Sequence, residues 1–141
     1  MILAEKKLPV PTNSDISSLR FQDLSLFKLV CGVAIFDTKG LLRKYFTADN
    51  NSNVTWLQTG FNVLSLKSLL ETAFQFDGFG HATVHASSYR IIVIQQHGRY
   101  VAFLFRSVEH CDITWLTLRQ MKEFEPSFLH EDPRFSSVFL G

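Results

Sequence analysis

The strongest hydrophobic pattern in the chain is an apolar stretch at residues 29–36, followed by the sequence Asp37-Thr38-Lys39-Gly40 and a second stretch, Leu41-Leu42-Arg43-Lys44-Tyr45-Phe46. An uninterrupted apolar run that is rich in β-branched and aromatic residues is typical of a strand buried on both faces. Gly40 stands at the last place of the turn, where a positive φ is needed, so the second stretch should return as an antiparallel partner. The pattern therefore predicts a central hairpin that needs cover on both of its faces.

The residues before this hairpin predict a loose arm and then a short helix. Residues 1–12 contain Pro9 and Pro11 and form the arm. The sequence Asn13-Ser14-Asp15 offers a helix cap. The apolar residues expected to line one side of this helix are Ile16, Leu19, Leu24 and Phe27.

Between residues 54 and 76 the apolar residues have helical spacing, but they fall on two faces. At ~100° per residue, one face carries Leu57, Phe61 and Leu64. The nearly opposite face carries Leu66, Leu69, Leu70 and Ala73. One interpretation is a pair of short helices broken near Gly60 or Ser65. The other is a single helix, roughly 35 Å long, that packs on its own sheet with one face and on another subunit with the other.

The second half of the chain predicts three more strands. Residues 81–86 alternate modestly, which suits a strand with one covered face. The segments 89–95 and 100–105 are strongly β-forming, and the sequence Gln96-His97-Gly98-Arg99 between them predicts a hairpin connection. With the central hairpin, these segments give a sheet of five strands.

A last helix and an apolar tail complete the pattern. Asp112 is the expected cap of the helix, and Pro126 is expected to end it. The tail, residues 123–141, is too apolar for an ordinary disordered end, so it either folds back on the body or binds a partner. The fold class expected for residues 13–122 is therefore α+β, a five-stranded antiparallel sheet with helices on both faces.

Composition narrows the function classes. A chain of 141 residues with 46% hydrophobic residues suits one domain. A formal net charge of +1 argues against nucleic acid as a partner, and no apolar run approaches the ~20 residues of a membrane span. Two cysteines do not make a disulfide scaffold, so the expected location is the cytoplasm.

Phenylalanine is the one compositional excess, at 14 residues. Five of them exceed what a small core is expected to need: Phe61, Phe124, Phe128, Phe135 and Phe139. Exposed aromatic patches mark interfaces between proteins. The excess therefore favours a protein that binds other proteins.

The hairpin sequence from Gly32 to Leu41 consists of a glycine, an apolar run, an aspartate, two residues and a glycine, before the final leucine. This sequence resembles the roadblock, or dynein light-chain, superfamily, whose fold is related to profilins and longins. The helix before Gly78, the hairpin at residues 89–105 and the closing helix extend the resemblance to roughly residues 14–122. It implies a non-enzymatic homodimer in which the long helix and the strand near residues 81–87 pair with their symmetry mates. Members commonly regulate small GTPases or serve as scaffolds in motility and signalling complexes. The polar insertion at residues 49–53 and the aromatic tail depart from the family pattern.

Two surfaces follow from these arguments. The expected dimer interface consists of Leu57, Phe61, Leu64, His81, Thr83 and His85. The expected partner surface consists of Arg119, Lys122, Phe128, Phe135 and Phe139. The basic pair on the last helix has acidic residues just beyond it, and a merely solvated helix face is the simpler interpretation.

The enzymatic interpretations are weak. The sequence Glu109-His110-Cys111-Asp112 contains the residue types of a Cys-His nucleophile pair, but adjacent residues rarely reach the required geometry. His81 and His85 share a face of a strand, yet lie ~13 Å apart at 3.3 Å per residue, too far for one metal ion, and adding His97 across a hairpin does not readily correct this. We therefore expect no catalytic residue, no cofactor and no metal.

The favoured hypothesis is a cytoplasmic homodimeric interaction module that binds a regulatory partner, such as a small GTPase. The alternative is a small-molecule sensor domain of the PAS or GAF type, in which the sheet and the long helix enclose a ligand. The pocket that would support a sensor is lined by Phe36, Tyr45, Phe74 and Trp115.

Overall fold

The structure is a computed structural model that describes residues 20–48, 54–74, 80–85, 89–106 and 113–140, without the side chains of residues 67–74. The predicted arm, the predicted cap at residues 13–15 and the polar insertion at residues 49–53 lie outside the described residues.

Six strands form one antiparallel sheet. Their bounds are Val30–Phe36 (β1), Leu42–Ala48 (β2), His81–His85 (β3), Tyr89–Gln96 (β4), Arg99–Arg106 (β5) and Phe135–Phe139 (β6). The strand order is β3-β4-β5-β1-β2-β6. The two longest helices, Trp56–Phe74 (α1) and Trp115–Lys122 (α2), cover opposite faces of the sheet. The α+β fold class is confirmed.

The expected count of five strands is wrong by one, because β6 comes from the tail. It pairs antiparallel with β2, placing Phe139 opposite Lys44 and Phe135 opposite Ala48. Only Phe135 packs against the core, whereas the rest of β6 is exposed. The side chains of β6 are mostly exposed, so the hydrophobic pattern of its sequence does not predict a strand. Backbone hydrogen bonds to β2, which is distant in the sequence, hold β6 in place. The tail therefore folds back on the body, one of the two outcomes expected.

The β1–β2 hairpin forms as predicted. The Asp37 carboxylate accepts hydrogen bonds from the backbone N–H groups of Lys39 and Leu41, at 2.9 and 3.0 Å. Gly40 has a φ of 84°, and Gly98 in the β4–β5 turn has a φ of 77°. Glycine accepts this left-handed conformation without the steric cost that a Cβ adds. Both turns thus fix the register of the strands beside them.

The face of the sheet under α2 is covered by four short segments. These are α2 and three 3-10 helical turns, Phe21–Asp23, Ser25–Leu29 and Pro126–Glu131. The predicted single helix through Leu24 and Phe27 is therefore wrong: Leu24 is extended and separates two 3-10 turns. Phe21 and Phe27 both turn inward and meet edge to face, with ring centroids 5.5 Å apart.

The opposite face of the sheet is covered by α1, which is one continuous helix and not two short ones. Its 19 residues span about 28 Å. Gly60 of α1 lies close to the Phe36 ring, and the Trp56 ring lies on Gly32 of β1. A Cβ at Gly32 would come within 2.7 Å of Trp56 Cζ2. The helix reaches the sheet this closely because glycine stands at these two contact points.

Helix α2 begins and ends differently from the prediction. Its cap is Thr114, whose hydroxyl accepts a hydrogen bond from the Thr117 backbone N–H at 3.2 Å. The expected cap, Asp112, lies outside the described residues. The helix ends at Lys122, before Pro126, which instead opens the third 3-10 turn.

Candidate functional site

Strand β3 is an edge strand, and within the described sheet it pairs only with β4. His81 and Thr83 lie opposite Ile94 and Ile92, which belong to the core under α2. The side chains of His81, Thr83 and His85 are therefore exposed on the α2 side of the sheet. The half-buried alternate residues Ala82 and Val84 lie on the α1 side.

The predicted interface residues of α1 do not share one exposed face. Leu64 is buried in the core of its own protomer, and Leu57 is partly buried there. Phe61 is 42% exposed, and Leu66, which the sequence placed on the other face, is 55% exposed. Five residues of helix separate these two by about 140° around the axis.

The two exposed side chains point in different directions from α1. Leu64 Cβ lies 3.7 Å from where a Cβ would stand on Gly40, in the β1–β2 turn, so Leu64 faces the sheet. Phe61 is about 60° from Leu64 around the helix, so it projects to one side of α1. Leu66 is about 160° from Leu64, so its side chain projects away from the sheet.

A groove of about 310 Å³ lies between α2 and the end of the sheet that carries β3. Its lining residues are Gly80, His81, Ile94, Trp115, Leu118, Arg119 and Lys122. Trp115 is 70% exposed. The Arg119 guanidinium carbon lies 5.9 Å from the centroid of the Trp115 ring, within the range of a cation–π contact.

The structure thus joins residues that the sequence assigned to two different surfaces. His81, from the predicted dimer interface, lines the same groove as Arg119 and Lys122, from the predicted partner surface. Sequence reasoning missed this juxtaposition, because it depends on how α2 lies across β4. One signal was present: Trp115, Arg119 and Lys122 are spaced i, i+4 and i+7 and so form one stripe.

Phe135 and Phe139 of the tail lie elsewhere, in the edge strand β6. Phe128 and Phe135 are partly buried against the core, and Phe124, expected to be surplus to the core, is fully part of it. Phe139 is 72% exposed, with Lys44 Nζ 6.0 Å from its ring centroid. The predicted partner surface is therefore divided between the two ends of the sheet.

The structure describes only some of the candidate enzymatic groups. The sequence Glu109 to Asp112 lies outside the described residues. His81, His85 and His97 are exposed, and among the described residues no group of three His, Cys, Asp or Glu side chains is placed to hold a metal ion. Burial raises the pKa of the Cys31 thiol, although Arg106 and Arg134 act in the opposite direction. A thiol with a raised pKa is a poor nucleophile near neutral pH.

The pocket expected for a small-molecule sensor does not form. Phe36 is buried under α1, whereas Trp115 is exposed on α2, on the other face of the sheet. The side chain of Phe74 lies outside the description. The sheet thus separates two of the four predicted lining residues.

Within the described residues, no helix has the length and apolar character needed to cross a membrane.

Comparison with known proteins gives similarity of fold. No protein-family model matches the chain, and no curated protein matches it. Among solved structures, the roadblock/LC7 domain from Streptomyces avermitilis is 17% identical, with a TM-score of 0.47 over 71% of this chain and 86% of that one. MglB of Myxococcus xanthus is 13% identical, with a TM-score of 0.48 over 70% and 80% of the two chains. The gliding protein MglB from Thermus thermophilus is 12% identical, with a TM-score of 0.45 over 55% of this chain and 61% of that one.

The match spans less than two thirds of the length of the Thermus protein.

Proposed function

We propose that this chain is a non-enzymatic interaction module that forms a homodimer through the β3 edge and the Leu66 flank of α1, and that the dimer binds a regulatory protein partner. The observation that carries the proposal is the edge position of β3, a strand without a Lys, Arg, Asp, Glu or Pro residue.

The backbone of β3 supplies the hydrogen bonds of the proposed dimer. An edge strand presents N–H and C=O groups that can pair with another strand, and proteins usually protect such edges with charged residues, proline or bulges. The five residues of β3, His81-Ala82-Thr83-Val84-His85, include no Lys, Arg, Asp, Glu or Pro. A two-fold axis at Thr83 joins two β3 strands antiparallel, with His81 opposite His85 of the partner subunit. This pairing leaves the side chains of each strand on the faces they already occupy.

Helix α1 supplies an apolar contact in the proposed dimer. When two sheets join at β3, the two copies of α1 lie on the same side of the joined sheet. We place Leu66, which is mostly exposed in the protomer, in the contact between them. Burying a leucine side chain is worth roughly 1.5–3 kcal/mol, so the contact gains apolar area as well as backbone hydrogen bonds. Leu64 is already buried, and Phe61 is about 140° from Leu66 around the helix, so neither is part of the proposed contact.

The proposed regulatory partner is a small GTPase. The sequence resemblance to the roadblock superfamily implies regulation of a small GTPase, and the proposal includes that class of partner. Binding to this class of partner is tested by size-exclusion chromatography of the chain with candidate small GTPases, each loaded with GDP or with a GTP analogue. Co-elution that depends on the bound nucleotide supports a regulatory role, and co-elution with neither form removes the GTPase from the proposal.

The dimer is tested by light scattering behind a sizing column, on the full chain and on two matched variants. Leu66→Glu places a charge in the proposed contact. Leu41→Glu makes the same change at a leucine of nearly equal exposure, 53%, in the β1–β2 turn at a distance from β3. We expect twice 16.2 kDa for the wild type and for Leu41→Glu, and a folded monomer for Leu66→Glu.

Thr83→Pro provides an independent variant in the strand itself, because proline cannot donate a ladder hydrogen bond. It should also give a monomer, with circular dichroism confirming that the sheet remains. A wild type that elutes at 16.2 kDa contradicts the homodimer, and a dimer that survives both Leu66→Glu and Thr83→Pro contradicts its location.

A further inference from the structure

The groove between α2 and the β3–β4 strands has a chemical character that the proposed dimer does not use. Its wall is the α2 stripe of Trp115, Leu118, Arg119 and Lys122, and its other side is formed by His81 and Ile94. All of these residues belong to one protomer. We propose that this groove binds a segment of a partner protein that carries acidic residues beside an aromatic or large aliphatic residue.

The charge of the groove supports an acidic occupant. Arg119 and Lys122 make no ion pair with any carboxylate in the described part of the chain. None of the described lining residues is acidic. The nearby Glu125 is already engaged, since Arg99 Nη2 lies 3.1 Å from its Oε1 and the Ser127 backbone N–H donates to its Oε2. Among the described residues, the two cations on consecutive turns of α2 therefore face the groove without a carboxylate partner.

The apolar lining of the groove supports an occupant that has an apolar side chain between its acidic residues. Trp115 is largely exposed to solvent. Of the other two apolar lining residues, Ile94 is almost fully buried and Leu118 is partly buried. Tryptophan and arginine are the residues most enriched among those that dominate binding energy at protein interfaces. The Trp115 ring under the Arg119 guanidinium offers an apolar surface directly beside a positive charge. An occupant with one apolar side chain flanked by carboxylates matches both features.

The dimensions favour a peptide over an isolated anion. A groove of about 310 Å³ lined by three large apolar side chains has more apolar surface than a free phosphate or carboxylate can cover. The cationic surface is also compact, with two fixed charges and one histidine, and the chain as a whole has a net charge of +1. Nucleic acid and anionic lipid surfaces are usually met by larger basic patches.

The test begins with a selection of random short peptides, displayed on phage, against the intact chain. The enriched peptides should contain Asp or Glu flanking Trp, Phe or Leu. A synthetic peptide of the enriched sequence is then titrated while tryptophan fluorescence is recorded. The chain has two tryptophans, of which Trp56 is buried and Trp115 is exposed, so Trp115 reports on the groove. We expect an emission change that is absent in Trp115→Ala.

Arg119→Glu reverses one of the two groove charges, and we expect it to weaken peptide binding about tenfold or more, as for a dominant interface residue. Lys39→Glu is the matched control, because it changes the net charge equally at an exposed position in the β1–β2 turn. Binding to Lys39→Glu should equal that of the wild type. Affinity should also fall as salt is raised, because exposed charges are screened.

Four results overturn the proposal. The first three are the absence of enriched peptides, an enriched sequence without acidic residues, and equal loss of binding in Arg119→Glu and Lys39→Glu. A fourth is sedimentation with vesicles of phosphatidylserine and phosphatidylcholine that depends on Arg119 while peptides do not bind, which assigns the groove to a membrane surface. Since the groove lies within one protomer, Leu66→Glu should bind the peptide as the wild type does. Failure of the dimer and failure of the groove are thereby observed separately.

Discussion

The two faces of the sheet are packed by different means. The face under α2 is filled by aromatic rings from several short segments, with Phe21 at the centre: its ring centroid lies 5.2 Å from that of Phe103 and 5.5 Å from those of Phe27 and Phe124. The face under α1 is covered by a single helix that approaches the sheet through glycines. One face is therefore sensitive to the loss of volume, and the other to its addition.

This difference determines which substitutions each face of the sheet tolerates. Edge-to-face aromatic pairs contribute about 0.5–1.5 kcal/mol beyond the area they bury, so a ring with several partners is costly to remove. A helix seated on glycine has no space for a methyl group, because well-packed interiors contain few voids. Substitutions that shorten a side chain should therefore destabilise the face under α2 most, and substitutions that enlarge one should destabilise the face under α1 most.

The largest effect is expected for Phe21→Ala. The side chain is only 1% exposed, although it belongs to a 3-10 turn of three residues, and it touches rings from β5, from the turn at Phe27 and from Phe124. Removing a buried phenylalanine side chain typically costs about 3–5 kcal/mol. Urea denaturation should show this loss in the free energy of unfolding. Phe139→Ala, at the exposed end of β6, is the control and should change it by under about 0.5 kcal/mol. Similar losses in the two variants would contradict the packing described for this face.

A smaller loss is expected for Gly32→Ala on the other face. The new Cβ would meet the Trp56 ring at 2.7 Å, which is closer than packed atoms allow, and overpacking typically costs about 1–3 kcal/mol. Gly80→Ala, where a Cβ would meet no described atom within 4 Å, should be nearly neutral.

The cause of this loss can be checked by a double-mutant cycle. Trp56→Phe removes the ring atoms that meet the new Cβ, together with an indole N–H that has no hydrogen-bond partner among the described residues. Gly32→Ala should therefore cost less in the Trp56→Phe background than alone. Equal costs in the two backgrounds would show that the ring is not the cause.

The smallest effect concerns the β1–β2 turn, which belongs to neither face. The hydrogen bond from the Leu41 backbone N–H, more than the similar bond from Lys39, lowers the pKa of Asp37 below its usual value. Because the folded-state pKa is the lower one, the carboxylate stabilises the fold above its unfolded pKa, about 3.9, and this contribution is lost as the pH falls through the folded-state pKa.

Asp37→Asn keeps an acceptor oxygen at this position and removes the charge. The urea midpoints of wild type and Asp37→Asn should differ at neutral pH and converge below about pH 4. The pKa of Glu125 is also lowered, because hydrogen bonds from Ser127 and Arg99 outweigh the effect of its burial. Since both proteins contain Glu125, its titration does not contribute to the difference between them. A difference that stays constant with pH would show that the charge of Asp37 does not stabilise the turn.

Local sequence signals predicted the strands and the long helix because these elements are encoded by neighbouring residues. The turns at Gly40 and Gly98 and the apolar runs beside them sufficed for two hairpins. The 3-10 turns around Phe21 and the strand β6 were missed, because both depend on distant partners: the rings of Phe103 and Phe124 for one, and the backbone of β2 for the other. The groove was predicted only in parts, since His81 and Arg119 are far apart in the sequence and meet through packing.

Gln96 gives one wall of the groove a fixed position. Its buried amide nitrogen donates to the backbone carbonyls of Met121 and Phe124, at 3.0 and 2.8 Å, and its oxygen accepts from Arg99 Nε at 2.8 Å. The C-terminal end of α2 is thereby tied to the β4–β5 turn, and Lys122 and Ile94 belong to one rigid unit. A peptide that enters the groove has little of the host chain to order, so its affinity should be limited by its own loss of freedom and improve when the peptide is constrained.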